Sequence, residues 1–256
     1  MPPSINTAIC LLIKDENDYI NEWLDWHISL GFEHFYIYDN GSQIPISDTV
    51  NKVYKPYCTF IDFSGDHKNT QMDCYNNAFI NYGKSINWLA FIDTDEFIRT
   101  IDGSNINDFL SNYEECDGLY IRWIMYNANG LWKKDSRPQR ERFTNVSSHI
   151  PHKPCGKSIL RPERVHSVGV HFPDCRIGEY NIVDSNKKLM KWALSDFSED
   201  DKIVIDHYFT RSYEEWQEKA KRGSCDPRCE RKYDEFFLYN QEMKESTPNK
   251  LKEVIQ

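Results

Sequence analysis

No stretch of this 256-residue chain approaches 18 consecutive apolar residues, so the sequence offers no membrane-spanning helix. Excess positive charge is also missing. The net charge is −9, which argues against general nucleic-acid binding, where cations must displace counterions from a phosphate backbone. The opening Met1-Pro2-Pro3-Ser4 lacks the charged and apolar segments of a secretory signal, and the expectation is a cytosolic chain. Four motifs are absent: Gly-x-x-x-x-Gly-Lys-Ser/Thr, Gly-x-Gly-x-x-Gly after a strand, His-Glu-x-x-His and Gly-x-Ser-x-Gly. Their absence sets aside P-loop enzymes, the dinucleotide fingerprint, helical zinc proteases and the hydrolase elbow. No internal repeat, low-complexity tract or linker interrupts the chain.

What is present is a globular composition, 14% aromatic and 28% charged, in a length that suits one large domain. The eight cysteines are scattered. Cys10, Cys58 and Cys74 sit in apolar patterns and read as small core residues, and thiols are expected. Cys225 and Cys229 form the one tight pair, with no second Cys/His pair at zinc-site spacing nearby.

The first hundred residues alternate strand-like and helix-like patterns. Residues 8–14 form an apolar run, followed by the acidic cluster Asp15-Glu16-Asn17-Asp18. Helical periodicity then runs through Tyr19, Ile20, Trp23, Leu24, His27, Ile28 and Leu30 to a C-capping Gly31. Strands are predicted at 35–39, 57–63 and 88–93, with a helix marked by Met72, Tyr75, Phe79 and Tyr82 between the last two. The pattern predicts an α/β fold with a mostly parallel sheet flanked by helices. Further strands are predicted at 118–126, 158–160, 164–170 and 202–208, with a long loop region over 127–155. Ser212-x-x-Glu215 is a capping box opening a helix through Lys221. Helix is expected again over 229–243, with a frayed end. The organisation expected is a single domain over 1–256, with a nucleotide-binding half at about 8–100, an acceptor-side half at about 101–223 and a tail from 224.

The most informative stretch is Trp88-Leu89-Ala90-Phe91-Ile92-Asp93-Thr94-Asp95-Glu96-Phe97. A buried-strand run ends in three acids. In an extended chain Asp93 and Asp95 project to one side, about 6.6 Å apart along the backbone. Two hard oxygen ligands suit Mg²⁺ or Mn²⁺, which usually complete their shell with substrate phosphates. Strand carboxyl ends are also where open α/β sheets bind ligands. The structural alternative is a solvated acidic turn.

Ile9–Glu16, Glu22-Trp23, Trp26-His27, Leu30-Gly31 and Phe35–Ser42 resemble the opening of GT-A glycosyltransferases, in particular family 92 (domain of unknown function 23) and the family-2-like group around it. Trp88–Phe97 resembles the family's aspartate (DXD) motif. Gly156–Pro162, His207-Tyr208 and Arg211-Ser212-x-x-Glu215-Trp216 with Lys219 resemble its later blocks. The resemblance implies a GT-A, Rossmann-like fold and a hexosyltransferase that moves a sugar from a UDP-sugar, with UDP-galactose the suggested donor. Inversion and a glycan or glycoconjugate acceptor are implied as well.

In such an enzyme a metal stabilises the leaving diphosphate, and a base assists the attacking hydroxyl. The resemblance makes Asp95 a direct metal ligand, Asp93 a contact to metal or ribose, and His207 a further ligand. It makes Asp39 a contact to uracil or ribose, and Arg211 and Lys219 offsets to diphosphate charge. Lys14, Asp15, Glu16, Gln71 and Lys157 are candidates for the same nucleotide pocket. Structural alternatives stand beside these: a buried structural histidine for His207, a turn-stabilising role for Asp39, an exposed helix position for Gln71, a solvated helix face for Arg211 and Lys219. For the base, His171, Asp174 and Glu141 are the candidates in the acceptor half.

From 131 to 171 there are nine Lys/Arg against three acids, a bias that suits an anionic acceptor or peripheral membrane contact. Two rival readings are a non-catalytic carbohydrate-binding relative and a sugar-phosphate nucleotidyltransferase. The latter usually has a Gly-rich basic loop where this chain has the acidic Lys14–Asp18.

Overall fold

The computed structural model describes residues 4–65, 69–149, 155–174, 176, 178–193, 198–223 and 231–244. The chain divides into two compact units, one of Met1–Trp123 with Lys153–Ile205 and the other of Ile124–His152 with Asp206–Gln256. Each unit is therefore built from two separated segments.

The first unit carries most of a nine-stranded sheet. Its strands are β1 (Ile5–Ile13), β2 (His34–Asp39), β3 (Cys58–Asp62), β4 (Ile86–Phe91), β5 (Glu96–Thr100), β6 (Gly118–Met125), β7 (Gly156–Leu160), β8 (Ile182–Val183) and β9 (Ile203–His207). The order is β3-β2-β1-β4-β7-β6-β9-β5, with β8 paired to β6. β1 pairs in parallel with β2 and β4, and β2 with β3. The carboxyl ends of β1 to β4 therefore share one edge of the sheet. β7 runs antiparallel to β4, with Leu89 opposite Leu160 and Ala90 opposite Ile159. This mixed, mostly parallel sheet with flanking helices matches the predicted class.

Helix α1 (Ile20–Leu30) joins β1 to β2, burying Trp23, Leu24 and His27. It ends as expected at Gly31, whose φ of 109° is open to glycine and costly for other residues. Helix Thr70–Tyr82 joins β3 to β4 and buries Gln71, Cys74, Tyr75 and Ala78. Cys10, Tyr36, Tyr38, Cys74, Tyr75, Leu89 and Phe91 lie together in the core of this unit.

In the second unit, helix Tyr213–Arg222 opens on the predicted capping box. The Glu215 N–H donates to Ser212 Oγ (3.4 Å), and the Ser212 N–H donates to Glu215 Oε2 (3.1 Å). Both Glu215 oxygens also receive the buried Arg142 guanidinium at 2.7 and 2.9 Å. Ala128, Tyr213, Trp216, Phe236, Phe237 and Met243 form this unit's core.

Several expectations are corrected. Residues 164–170 form turns and bends, not a strand, and β5 and β8 arise where none was predicted. The single helix expected over 229–243 is three short pieces in its described part, Tyr233–Glu235, Phe236–Tyr239 and Gln241–Lys244. Asn240 breaks it, because its buried amide donates to the Phe236 carbonyl (2.8 Å) and accepts from the Ala128 N–H (2.5 Å). Cys10, Cys58, Cys74, Cys116 and Cys155 are free thiols, as expected. The Cys225/Cys229 pair lies outside the described residues.

Candidate active site

The acidic stretch does not continue β4 as an extended chain. β4 ends at Phe91, and the Glu96 N–H folds back to the Asp93 carbonyl at 3.1 Å, closing Asp93–Glu96 into a turn before β5. The extended two-residue geometry expected for Asp93 and Asp95 is therefore replaced by a tight hydrogen-bonded turn. Its backbone is clamped from α1. The buried Trp23 Nε1–H reaches the carbonyls of Asp93 (3.1 Å) and Glu96 (3.0 Å). Trp26 Nε1–H donates to the Ile98 carbonyl at 2.7 Å, and the Ile98 N–H donates to His27 Nε2 at 3.2 Å. The Trp and His blocks that prompted the family resemblance thus fix the path of the acidic turn.

The side chains of the turn are held as closely. Asp93 Oδ2 lies 3.1 Å from Lys157 Nζ, and Asp93 Oδ1 accepts from Gln71 Nε2 at 3.2 Å. Gln71 Nε2 also donates to the Tyr75 hydroxyl at 3.0 Å. Asp95 is buried and Asp93 only partly so. Glu96 is fully buried, and its Oε2 takes the Asp93 N–H at 2.9 Å with Lys157 Nζ at 3.7 Å. Burial pushes the Glu96 carboxyl well above the usual carboxylate range, with Lys157 opposing the shift and Asp93 and Asp95 adding to it. Burial also penalises the Lys157 ammonium, but Asp93 and Glu96 outweigh that penalty and raise its pKa.

The antiparallel register explains how Lys157 arrives. Continued two residues beyond Ala90, it sets Lys157 level with Ile92 at the end of β4. The preceding Gly156 allows this, since a Cβ there would stand 2.0 Å from the Ile121 carbonyl oxygen of β6. Gln71, Asp93 and Lys157, three of the residues expected in the pocket, are therefore brought together. Glu96 joins them unpredicted. Its one signal in the sequence is that it is the third acid of the run.

The other candidates are placed as follows. Lys14 is exposed after β1. Asp15 adopts a φ of 51° and accepts the Gln43 N–H (2.8 Å), while its own N–H donates to Ser42 Oγ (2.9 Å). Glu16 is buried beside them in sequence. Both Asp39 oxygens accept loop N–H groups, from Ser42 and Ile46, each at 2.9 Å. Asp39 therefore has the turn-stabilising geometry. His171 Nδ1 lies 3.0 Å from the Gly156 carbonyl, next to Lys157 in the chain. A carbonyl only accepts, so Nδ1 carries the proton and Nε2 holds the basic lone pair. Asp174 pairs with the exposed Arg176, whose guanidinium pulls its carboxyl down to about 2. Such a weak base is poorly matched to accepting a proton from an acceptor hydroxyl.

Glu141, His207, Arg211 and Lys219 belong to the second unit. Glu141 is exposed on the short helix Gln139–Arg142. His207 is buried at the end of β9, its ring edge-on to Phe209. Arg211 is buried at a φ of 53° and donates to Gln139 Oε1 at 2.7 Å. Lys219 is buried, donating to the Phe209 carbonyl at 2.8 Å. Neither cation lies on a solvated helix face. Among the described residues, the cations of 131–171 do not all lie on the surface. Arg142, Lys157 and Arg161 are buried, paired with Glu215, Asp93 and Glu163.

Among the described residues, no three His, Cys, Asp or Glu side chains are grouped as metal ligands. The carboxylates of the acidic turn, with Asp93 already engaged by Lys157 and Gln71, do not make a protein cage for a cation. They fit an ion that takes one or two carboxylates and completes its shell with substrate phosphates. A cavity of about 710 Å³ opens elsewhere in the first unit, lined among others by Ile101, Asp102, Tyr113, Ser185 and Asp200. Its Ile101 and Asp102 follow the far end of β5 from the acidic turn.

Comparison with known proteins agrees with the sequence resemblance. The model of glycosyltransferase family 92 matches residues 7–228. A family 92 protein of Ricinus communis is 23% identical over 222 residues, covering 84% of this chain and 37% of its own length. One from Arabidopsis thaliana is 22% identical over 246 residues, covering 86% and 40%. The chain thus spans well under half the length of these relatives. Crystal structures of S. aureus TarS residues 1–349, alone and with UDP, overlap 62% of this chain and 47% of theirs, at 14% and 16% identity and a TM-score of 0.40 each. This chain belongs to glycosyltransferase family 92.

Proposed function

We propose that the chain is the catalytic GT-A portion of a metal-dependent glycosyltransferase that moves a sugar from a UDP-sugar to a hydroxyl of a glycan or glycoconjugate. The observation that carries this reading is the convergence of Asp93, Gln71, Lys157 and Glu96 at the carboxyl edge of the parallel strands, where ligands of open α/β sheets bind. Family membership supplies the reaction class.

Asp95, with Asp93 beside it, would hold a Mn²⁺ or Mg²⁺ ion. Such an ion supplies Lewis-acid stabilisation of the leaving diphosphate. The protein's own residues do the rest. Gln71 and Lys157 hold the Asp93 carboxylate in one orientation. The indoles of α1 keep the turn backbone from relaxing when charge develops above it, which is the preorganisation that electrostatic catalysis requires. His171 is the base in this reading, with inversion at the anomeric carbon. Its Nδ1–H is held on the Gly156 carbonyl, which fixes the orientation of the ring.

The test is UDP release from UDP-galactose and other UDP-sugars, with and without acceptor glycans, by wild type and His171→Gln. Acceptor-stimulated release that His171→Gln loses supports the reading. Sugar binding without release would instead support a non-catalytic carbohydrate-binding relative.

A further inference from the structure

Lys157 is the most tightly enclosed cation near the acidic turn, with 1% of its surface exposed. A lysine is rarely buried to this degree unless it is paired. Asp93 Oδ2 is 3.1 Å from its ammonium on one side and Glu96 Oε2 is 3.7 Å away on another. Glu96 is itself anchored by the Asp93 N–H, so the cation is fixed from both sides. Gln71 holds the second Asp93 oxygen. Both oxygens of the first aspartate are therefore engaged by the protein.

Resting on the donor-site reading above, we infer that Lys157 is an internal counter-ion for the acidic turn. It holds Asp93 charge-neutral in the absence of donor, so that a divalent ion enters with the nucleotide diphosphate and not ahead of it. A divalent ion approaching Asp93 alone meets an ammonium in contact with that carboxylate, and like charges this close repel even at a high dielectric. A diphosphate brings the missing negative charge and the missing oxygen ligands together. The absence of any three-membered His/Cys/Asp/Glu group among the described residues fits the same division of labour. Lys157 is here a positioning residue, acting on the metal through Asp93.

The test is calorimetric titration of Mn²⁺ into wild type and Lys157→Met, each with and without saturating UDP. Wild type should bind Mn²⁺ at least about tenfold more weakly without UDP than with it. Lys157→Met should bind Mn²⁺ alone about tenfold or more tightly than wild type does, because one opposing charge has been removed. A merely structural lysine would not produce a gain. Equal Mn²⁺ affinity of wild type with and without UDP overturns the inference, as does a folded Lys157→Met with no gain. The double variant Lys157→Met/Glu96→Gln removes the buried ammonium together with the acid it faces if the single change does not fold, and a folded double variant that binds Mn²⁺ alone no more tightly than wild type likewise overturns the inference. Absence of UDP binding under every condition overturns the donor-site reading, and the metal-only comparison between wild type and variant still decides the counter-ion role.

Discussion

The indole of Trp23 donates its N–H to the Asp93 carbonyl at 3.1 Å, tying α1 to the acidic turn across 70 residues of sequence. The same N–H reaches the Glu96 carbonyl at 3.0 Å, so one buried ring spans the turn. Replacing it with Phe keeps most of the apolar volume and removes the donor. Trp23→Phe should lose about 1–3 kcal/mol of stability, since two buried carbonyls lose a partner. It should also weaken UDP binding. Chemical denaturation checks the first and calorimetry the second.

Asp95→Asn should reduce transfer by about a hundredfold or more, the scale of removing one preorganised charge-stabilising group. The thermal midpoint should stay close to wild type. Steady-state rates beside a melting curve separate the two effects. Turnover at the wild-type rate would remove Asp95 from the site.

Gly156→Ala places a methyl carbon 2.0 Å from the Ile121 carbonyl oxygen, so β7 must move away from β6. Overpacking of this kind costs about 1–3 kcal/mol. Because Gly156 also receives His171 and precedes Lys157, donor affinity should fall with stability, a coupling that parallel UDP titration and denaturation would detect.

The buried Arg142–Glu215 pair makes two bonds, at 2.7 and 2.9 Å. Glu215→Ala leaves a buried guanidinium without its carboxylate and removes half of a capping box. The expected loss is about 3–5 kcal/mol, measured by denaturant unfolding. Glu215→Gln, which preserves the cap, should lose less.

Asp174 offers a pH prediction. Arg176 lowers its carboxyl to about 2 from the ordinary 3.8. A depressed acid stabilises the fold above its unfolded value, and that contribution disappears as the pH falls from about 3.8 towards about 2. Asp174 thus stays ionised throughout the neutral range. Asp174→Asn should leave the shape of the neutral pH–rate profile unchanged, and a displaced limb in that variant would reinstate Asp174 as a base.

Much of the parallel half was readable in the sequence, because a strand buried on both faces writes an uninterrupted apolar run such as Trp88–Ile92, and an amphipathic helix repeats as Tyr19–Leu30 does. The acidic turn was readable as chemistry but not as geometry. Periodicity carries no sign that the Glu96 N–H folds back onto the Asp93 carbonyl. Lys157 was found only as part of a family block. Its contact with Asp93 depends on the antiparallel register of β7 on β4, 64 residues away, and nothing local encodes a register. The burial of Arg211 and Lys219 was hidden for a related reason. A cation on a helix or at its start looks solvated in sequence, and its burial depends on what packs over it. Within 131–171, Lys157 and Arg161 stood out as members of a family block, whereas nothing local marked Arg142, which is internal as well.

The Asp93–Glu96 turn is proposed as the donor site for a UDP-sugar and a divalent ion. The most direct measurement is calorimetric titration of UDP, GDP and CMP into the protein with Mn²⁺ and after chelation. UDP should bind only with Mn²⁺, and Asp95→Asn should abolish this binding. Metal-independent binding of all three nucleotides, or binding that Asp95→Asn leaves intact, would contradict it.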